Sequence, residues 1–521
     1  MGPDLGLGSW PWRRARMTPE RVALVQGERS RTYRELAERT RRLASSLAAL
    51  GVGRGDRVAY LGANDLATFD TLFATGLVGG VFVPLNTRLS AAELGYMLAD
   101  CGASVLVHGA DTGEVLRGVV LPDSVRHVLA LAPATSPVGG RDFEAAVTVN
   151  GDFREAPVGM DDPCLILYTS GTTGRPKGAV LTHGNLTFNT VNQLAHIDVL
   201  GSDRVLCVAP LFHVTGLGQV TLPTLFKGGT VVVAPRFDPG RVLAAIEAER
   251  ITGFSAVPTM LQLLAEHPSW ETTDVSSLRY VIYGGSAVQE RVARAWLRRG
   301  VRLQQGYGMT EAAPGVYMAL QDGALERPVS VGVPHFFTDI AVLRDGSPAT
   351  PTPGVAGELL VRGPNVFGGY WNRPQETAAS LVDGEWFRTG DVLRVGDDGW
   401  AHVVDRVKDL IISGGENVYP AEVEAVIVQR DEIASCAVVA VPDERWGEVG
   451  AAFVVLRDGA ELDEPALRTH LESQLARYKV PRYLHFVPDL PVSATGKVRR
   501  VELRVRAAER LSAPPVEGAT P

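Results

Sequence analysis

Short apolar runs that alternate with amphipathic helical patterns limit the fold of this chain more than any other feature. Arg57 to Leu61, Ser104 to Val107, Cys164 to Tyr168, Arg204 to Ala209, Thr230 to Val233 and Arg279 to Tyr283 read as buried strands. After a start read as frayed, the first clear helix runs from Tyr33 to Leu50, with Leu36, Leu43, Leu47 and Leu50 on one stripe. Thr32 and Glu35 form a capping box at its head, and Gly51 stands where a helix stops. A second helix, Pro239 to Arg250, is announced by Asp238 as cap and Pro239 as first residue. Strands separated by helices pair in parallel and need cover on both faces, which makes the fold α/β.

From about Phe336 the texture changes. Ile340 to Leu343, Gly357 to Arg362 and Trp400 to Val404 are strands joined by Gly, Pro and Asp turns with no helix between them, the pattern of a small antiparallel sheet or barrel. A helix is expected from Pro420, then strands Ala434 to Val441 and Ala452 to Leu456, then a helix carrying Leu467, Leu471 and Leu475. The expected architecture is a large N-terminal domain over residues 1–405, built of parallel α/β sheets plus the small barrel-like sheet. It is hinged to a small C-terminal α+β domain over residues 406–521, whose Pro- and Ala-rich tail from Ser512 is expected to be disordered.

Composition narrows the function classes. The 521 residues are 45% hydrophobic and 21% charged, so large cores are available and wholesale disorder is excluded. A net charge of -8 argues against a nucleic-acid partner. Cys101, Cys164, Cys207 and Cys436 lie far apart with no metal-ligand spacing, which suggests buried thiols in a reducing compartment. No stretch has the roughly 20 apolar residues of a membrane helix, and no signal-peptide pattern opens the chain. The expectation is a cytoplasmic protein with no membrane span.

Chemistry concentrates in Tyr168-Thr-Ser-Gly-Thr-Thr-Gly-Arg-Pro-Lys-Gly178. Four hydroxyls (Thr169, Ser170, Thr172, Thr173), the glycines Gly171 and Gly174, and Lys177 follow directly on a buried strand. Glycines let the backbone approach phosphate oxygens, while hydroxyls, amides and an ammonium supply donors. Lys177 is followed by Gly178, so the Ser/Thr of a P-loop is missing and a different ATP chemistry is required. Five further stretches are of the same kind: Gly306-Tyr-Gly-Met-Thr-Glu311, Arg388-Thr-Gly-Asp391, Asp405-Arg-Val-Lys-Asp409, Ser413-Gly-Gly-Glu-Asn417 and Pro491 to Lys497. Each alone is a common turn. Taken in order and interval, they make the chain resemble the adenylate-forming superfamily of acyl- and aryl-CoA synthetases, peptide-synthetase adenylation domains and beetle luciferases, from about residue 20 to 505.

That resemblance implies roles. Thr169, Ser170, Gly171, Thr172, Thr173, Gly174 and Lys177 would hold the β- and γ-phosphates of ATP. Tyr307, between Gly306, Gly308 and Met309, would stack on adenine beside Gly285, Ser286 and Ala287. Thr310 would meet the α-phosphate and Glu311 would ligate Mg2+. Asp391 and Arg406 would take the ribose hydroxyls, with Asn417 nearby, and Lys497 would reach the reacting groups from the small domain. Lys408 would be the hinge about which that domain turns between adenylation and thioester formation. Gly414 and Gly415 would line the pantetheine passage of coenzyme A, Trp446 would pack on its nucleotide, and Arg88 and Lys479 are candidates for its 3'-phosphate. Val480 stands where some aryl-CoA relatives carry a basic residue. His213 would be a gate beside the substrate carboxylate.

The acid pocket is expected from His213 to Gly218, Ser255 to Thr259, Tyr283 to Gly285 and Met309 to Pro314, with Gly216, Gly218, Gly284, Gly285, Ala312 and Ala313 leaving room. Apart from His213, and Glu311 which the resemblance gives to Mg2+, these segments carry no charge, which favours a fatty, aryl or bulky polycyclic acid over an amino acid or a dicarboxylate. The expected activity is acid + ATP + CoA to acyl-CoA + AMP + pyrophosphate, in a monomer or homodimer. Three alternatives remain: transfer to a carrier-protein pantetheine, a non-catalytic acyl-adenylate binder, and a luciferase-like oxygenase.

Overall fold

A computed structural model describes residues 4–149, 151, 157–169, 175–284, 290–324, 326–327, 330–406, 411–418, 420–491 and 498–512. Two compact units emerge: one of residues 1–87, 94–169 and 177–407, the other of residues 88–93, 170–176 and 408–521.

In the larger unit, nine strands among the described residues form one sheet. Its order is Val333–Pro334, Gly315–Met318, Leu303–Gly308, Tyr280–Tyr283, Gly253–Ala256, Arg204–Cys207, Thr230–Val233, Val22–Gln26 and Arg29–Thr32. Pairing is parallel from Leu303–Gly308 through Val22–Gln26 and antiparallel beyond. A seven-stranded sheet runs Arg141–Asp142, His127–Ala130, Val105–His108, Arg57–Leu61, Val81–Leu85, Pro163–Thr169, Lys177–Thr182. Its last pair alone is antiparallel. The helix Leu66–Leu77 is buried along its whole length, Asp70 included, whose carboxylate is met by Arg31 at 2.6 Å and Arg39 at 3.0 Å. Asp65 caps it by accepting from the Ala67 amide at 2.9 Å.

The leucine stripe of Tyr33–Ala49 faces the core at Leu36, Leu43 and Leu47, and the Thr32/Glu35 capping box forms as its sequence requires. From Asp4 onward the start of the chain is not frayed. Leu7 and Trp10 are buried, the helix Trp10–Met17 packs on Tyr33–Ala49, and the Leu7 amide donates to His183 Nδ1 at 2.9 Å. Residues 339–406 form an antiparallel sheet ordered Ser347–Ala349, Asp339–Arg344, Ala356–Arg362, Trp386–Val395, Leu381–Val382, with Ala401–Arg406 also on Trp386–Val395. One short helix interrupts it, Pro374–Ala379, which none of the sequence patterns announced because it has no buried residue to create a periodicity.

In the smaller unit the sheet order is Glu416–Val418, Ile411–Ser413, Gly447–Leu456, Ile433–Asp443, with Tyr483–Phe486 parallel to Gly447–Leu456. The strand period divides its core in two. Val438, Ala452 and Val454 meet Val423, Ile427, Leu467 and Leu471 of the helices Pro420–Ile427 and Glu464–Gln474, whereas Ala437, Val439, Ala451 and Phe453 meet Leu503 and Ala507 of Arg500–Ser512. No helix among the described residues is long and apolar enough to cross a membrane.

Candidate active site

Thr169 and Lys177 lie opposite each other where the antiparallel strands Pro163–Thr169 and Lys177–Thr182 meet the glycine-rich turn. The turn residues Ser170, Gly171, Thr172, Thr173 and Gly174 lie outside the described residues, as do Gly285, Ser286, Ala287, Lys408 and Lys497. The Lys177 ammonium pairs with Glu376 and stands 5.5 Å from the centre of the Tyr370 ring, and its side chain is 12% exposed. Burial of this kind keeps the charge in a low-dielectric corner, where it acts more strongly on an incoming anion than a solvated lysine does.

Tyr307 lies near the end of the strand Leu303–Gly308 and its hydroxyl donates to Asp391 Oδ2 at 2.7 Å, 84 residues further on. Asp391 is in turn the cross-strand partner of Arg406. The fold therefore brings together three residues that were named separately from sequence. The turn after Tyr307 is packed backbone on backbone: a Cβ on Gly308 would stand 1.7 Å from the Pro314 oxygen, so no other residue fits there. Thr310 opens the short helical turn Thr310–Ala312, and Ala313 behind it holds a left-handed φ of 65°. Such a conformation costs a non-glycine residue about 1–2 kcal/mol. Two buried asparagines hold this turn. Asn365 Nδ2 donates to the Ala312 and Gly315 oxygens at 3.1 and 2.8 Å, while Asn189 Oδ1 accepts from the Gly315 amide at 3.1 Å and its Nδ2 donates to the Gly218 oxygen at 2.8 Å.

Glu311 is half-buried, and Tyr370 donates its hydroxyl to Glu311 Oε1 at 2.8 Å. Burial pushes the carboxyl above its usual range; the Tyr370 hydrogen bond and the Lys177 charge pull it back, and Asp391 pushes it further up. Sequence reasoning missed Tyr370, Glu376, Asn189 and Asn365, whose roles come from contacts with residues distant in the chain.

His213 is half-buried, stands at the N-terminus of the helix Val214–Gly218, and packs its ring 5.1 Å from Phe212. The small residues expected to open the acid pocket do something else. A Cβ on Gly216 would lie 2.1 Å from the Pro210 oxygen and one on Gly218 would lie 2.5 Å from the Ala313 oxygen, while Ala312 and Ala313 are wholly buried. Gly216 and Gly218 are small because main chains press on them. The half-buried side chains of the same segments are His213, Thr215, Val257, Pro258, Thr259, Met309, Thr310 and Glu311.

In the smaller unit, Gly414 and Gly415 hold φ of 58° and 81°. The space beside Gly414 is taken by the Trp446 indole, whose Cε3 a Cβ would approach to 2.8 Å. Trp446 itself is 41% exposed, with the Arg445 guanidinium 4.8 Å from its ring. Asn417 pairs with Ile412 across the strands, and Arg88 pairs with Glu416 at 3.0 Å. Lys479 does not present its charge to a ligand here: it is 3% exposed, and its ammonium lies 2.6 Å from Glu422 and 2.8 Å from Glu93. Burial alone would lower its pKa, but the two carboxylates outweigh that and raise it.

Comparison with known proteins places this arrangement. Residues 11–371 match the family model described as AMP-binding enzyme, and residues 422–497 match that of the AMP-binding enzyme C-terminal domain. The chain is 50% identical to a feruloyl-CoA synthase of Amycolatopsis sp over 96% of its own length and 99% of that protein. It is 42% identical to the indoleacetate–CoA ligase of Aromatoleum aromaticum, over 97% and 98%. Among solved structures it resembles the o-succinylbenzoate CoA synthetase of Bacillus subtilis with a TM-score of 0.83 and 32% identity, over 97% of this chain and 99% of that one. The amide bond synthetase McbA of Marinactinospora thermotolerans gives 0.84 and 33%, over 95% and 99%. The chain is thus a member of the AMP-binding enzyme family, in its branch of AMP-forming acyl- and aryl-CoA synthetases.

Proposed function

We propose that this enzyme joins an aromatic carboxylic acid to AMP and then passes the acyl group to CoA, with acids of the hydroxycinnamate class the first to test. The observation that carries the reading is the hydrogen bond from Tyr307 to Asp391 at 2.7 Å, with Tyr307 just ahead of Glu311 on one strand-and-turn segment. The aryl preference is supported by relatives named for feruloyl-CoA and indoleacetate, and by pocket segments whose one charged group besides His213 is Glu311, the carboxylate assigned to the metal.

In the first step the acid's carboxylate attacks the α-phosphorus of ATP, forming a C–O–P link as the bond to pyrophosphate breaks. Two anions must meet, so the protein's task is to position them and offset their charge. Tyr307 offers a ring face to adenine, Asp391 accepts from the ribose hydroxyls while Arg406 donates to them, and Thr310 lies next to Glu311 at the α-phosphate. Thr169 and Lys177 take the outer phosphates, with Lys497 supplied by the smaller unit. Glu311 suits Mg2+: one half-buried carboxylate together with nucleotide phosphates is the kind of set that ion accepts. ATP phosphates and water would supply the remaining ligands. Glu311 would hold Mg2+, which when bound would supply charge neutralisation on the phosphates.

In the second step the thiol of CoA attacks the acyl carbon and AMP leaves. Lys408 serves as hinge, the turn at Gly414 and Gly415 guides the thiol arm, and exposed Trp446 offers a face to the nucleotide of CoA.

The test is pyrophosphate and AMP release by the purified protein with MgATP and ferulate, benzoate, octanoate, palmitate, phenylalanine or malonate, each with CoA, without it, and with a phosphopantetheinyl carrier. Aryl acids with CoA should turn over fastest, phenylalanine and malonate not at all. A carrier preferred over CoA would move the acceptor, faster octanoate or palmitate would move the acid class, and no AMP with any acid would end the reading.

A further inference from the structure

Tyr370 touches two residues that the proposed reaction needs and that lie far apart in the chain. Its hydroxyl donates to Glu311 Oε1, and its ring takes the Lys177 ammonium on one face, at the distances given above. The ring is held in place from several directions. The Val180 amide donates to the Gly369 oxygen, Gly368 to Val180 and Trp371 to Gly178 at 2.7–3.0 Å, which lays the segment Gly368–Trp371 along the strand that begins with Lys177. The Tyr370 amide donates to Thr377 Oγ1 at 2.9 Å, Phe367 packs edge-on to the ring at 4.9 Å, and the Phe367 amide donates to the Glu311 oxygen at 2.7 Å. A hydroxyl on one carboxylate oxygen leaves the other to face a cation, and a ring face steadies an ammonium without neutralising it.

Resting on the reading of Glu311 and Lys177 given above, we infer that Tyr370 is a positioning residue that orients the Glu311 carboxylate for the metal–nucleotide and holds Lys177 toward the phosphates. Groups that hydrogen-bond a metal-binding carboxylate govern affinity without touching the metal.

Calorimetric titration of the full chain with ATP, once in Mg2+ and once in EDTA, separates the two arms. Tyr370→Phe keeps the ring and loses the hydroxyl, so the gain in ATP affinity that Mg2+ provides should shrink about ten-fold, the scale of a hydrogen bond to a charged group, with affinity in EDTA unchanged. Tyr370→Leu also removes the ring and should weaken binding in EDTA. Adding Tyr370→Phe to Glu311→Gln should cost no more of the Mg2+ gain than Glu311→Gln alone. A Tyr370→Phe protein that keeps the full Mg2+ gain, or loses affinity equally in both buffers, overturns the inference. Should Glu311→Gln itself keep the gain, the assignment of Glu311 has failed instead, and the two failures are told apart by that arm.

Discussion

Lys177 and Lys479 are both lysines paired with glutamate in segments whose sequence suggested phosphate, yet the larger unit and the smaller one use them differently. Lys177 begins a strand after the glycine-rich stretch, has among the described residues one carboxylate and one ring face as partners, and keeps 12% of its side chain exposed. Lys479 is 3% exposed between Glu422 and Glu93. A buried charge between two carboxylates has no reason to exchange them, since leaving them unpaired is penalised heavily. An ammonium with a single carboxylate at the edge of a donor-rich turn can trade that partner for a polyphosphate, whose charge is greater. The contrast teaches that a basic residue's neighbours and depth decide its role, and neither is written in its local sequence.

The largest effect should separate the two lysines outright. Lys479→Ala leaves two carboxylates buried without their cation and should destabilise the smaller unit by about 3–5 kcal/mol, measured by denaturant unfolding, while the folded fraction keeps its acid-dependent ATP–pyrophosphate exchange. The pH dependence has a definite sign. Because the folded-state pKa of Lys479 is raised, its stabilisation is whole below the ordinary lysine value and is lost as the pH climbs from there through the raised value. The alanine variant should lack that alkaline decline. Weaker CoA binding with unchanged stability would erase the contrast and restore Lys479 as a phosphate ligand.

Lys177→Ala should do the reverse. Loss of one preorganised donor to developing charge costs about 10²–10³ in rate, so exchange should fall on that scale. Stability should move by no more than about 1 kcal/mol, as is usual for a partly open ion pair. Heavy destabilisation with exchange intact would make the pair with Glu376 a structural one.

The same distinction explains what was legible beforehand. The parallel sheets and the capped helices Tyr33–Ala49 and Pro239–Ala248 were visible because their signals are local: short continuous apolar runs for strands buried on both faces, period-3.6 burial, Thr32 with Glu35, Asp238 before Pro239. Tyr307, Glu311 and Asp391 were visible because their chemistry sits in compact motifs. Tyr370, Glu376, Asn189 and Asn365 were not, since each matters only through a partner distant in the chain that folding brings near. The ordered start was missed because Leu7 and Trp10 show no periodicity; they are buried by the helices Leu66–Leu77 and Tyr33–Ala49 packing against them. The small pocket residues were misread for a related reason. Gly216 and Gly218 look identical in sequence whether the space beside them is empty or filled by the Pro210 and Ala313 oxygens.

Gly414 offers the smallest and most discriminating test of that ambiguity within the smaller unit. Its φ of 58° penalises any side chain by about 1–2 kcal/mol, and a Cβ would also press on Trp446 at 2.8 Å. Gly414→Ala should therefore destabilise by slightly more than the backbone cost alone. Adding Trp446→Ala should recover only the excess, because removing the indole relieves contact but not φ, and a double-mutant cycle reads that difference as a coupling energy. If Gly414 instead serves chiefly to pass a thiol arm, the alanine should raise the KM for CoA in both backgrounds with no coupling to Trp446. The small unit would then resemble the Lys177 corner, where contacts are held ready for a ligand, more than the sealed surroundings of Lys479.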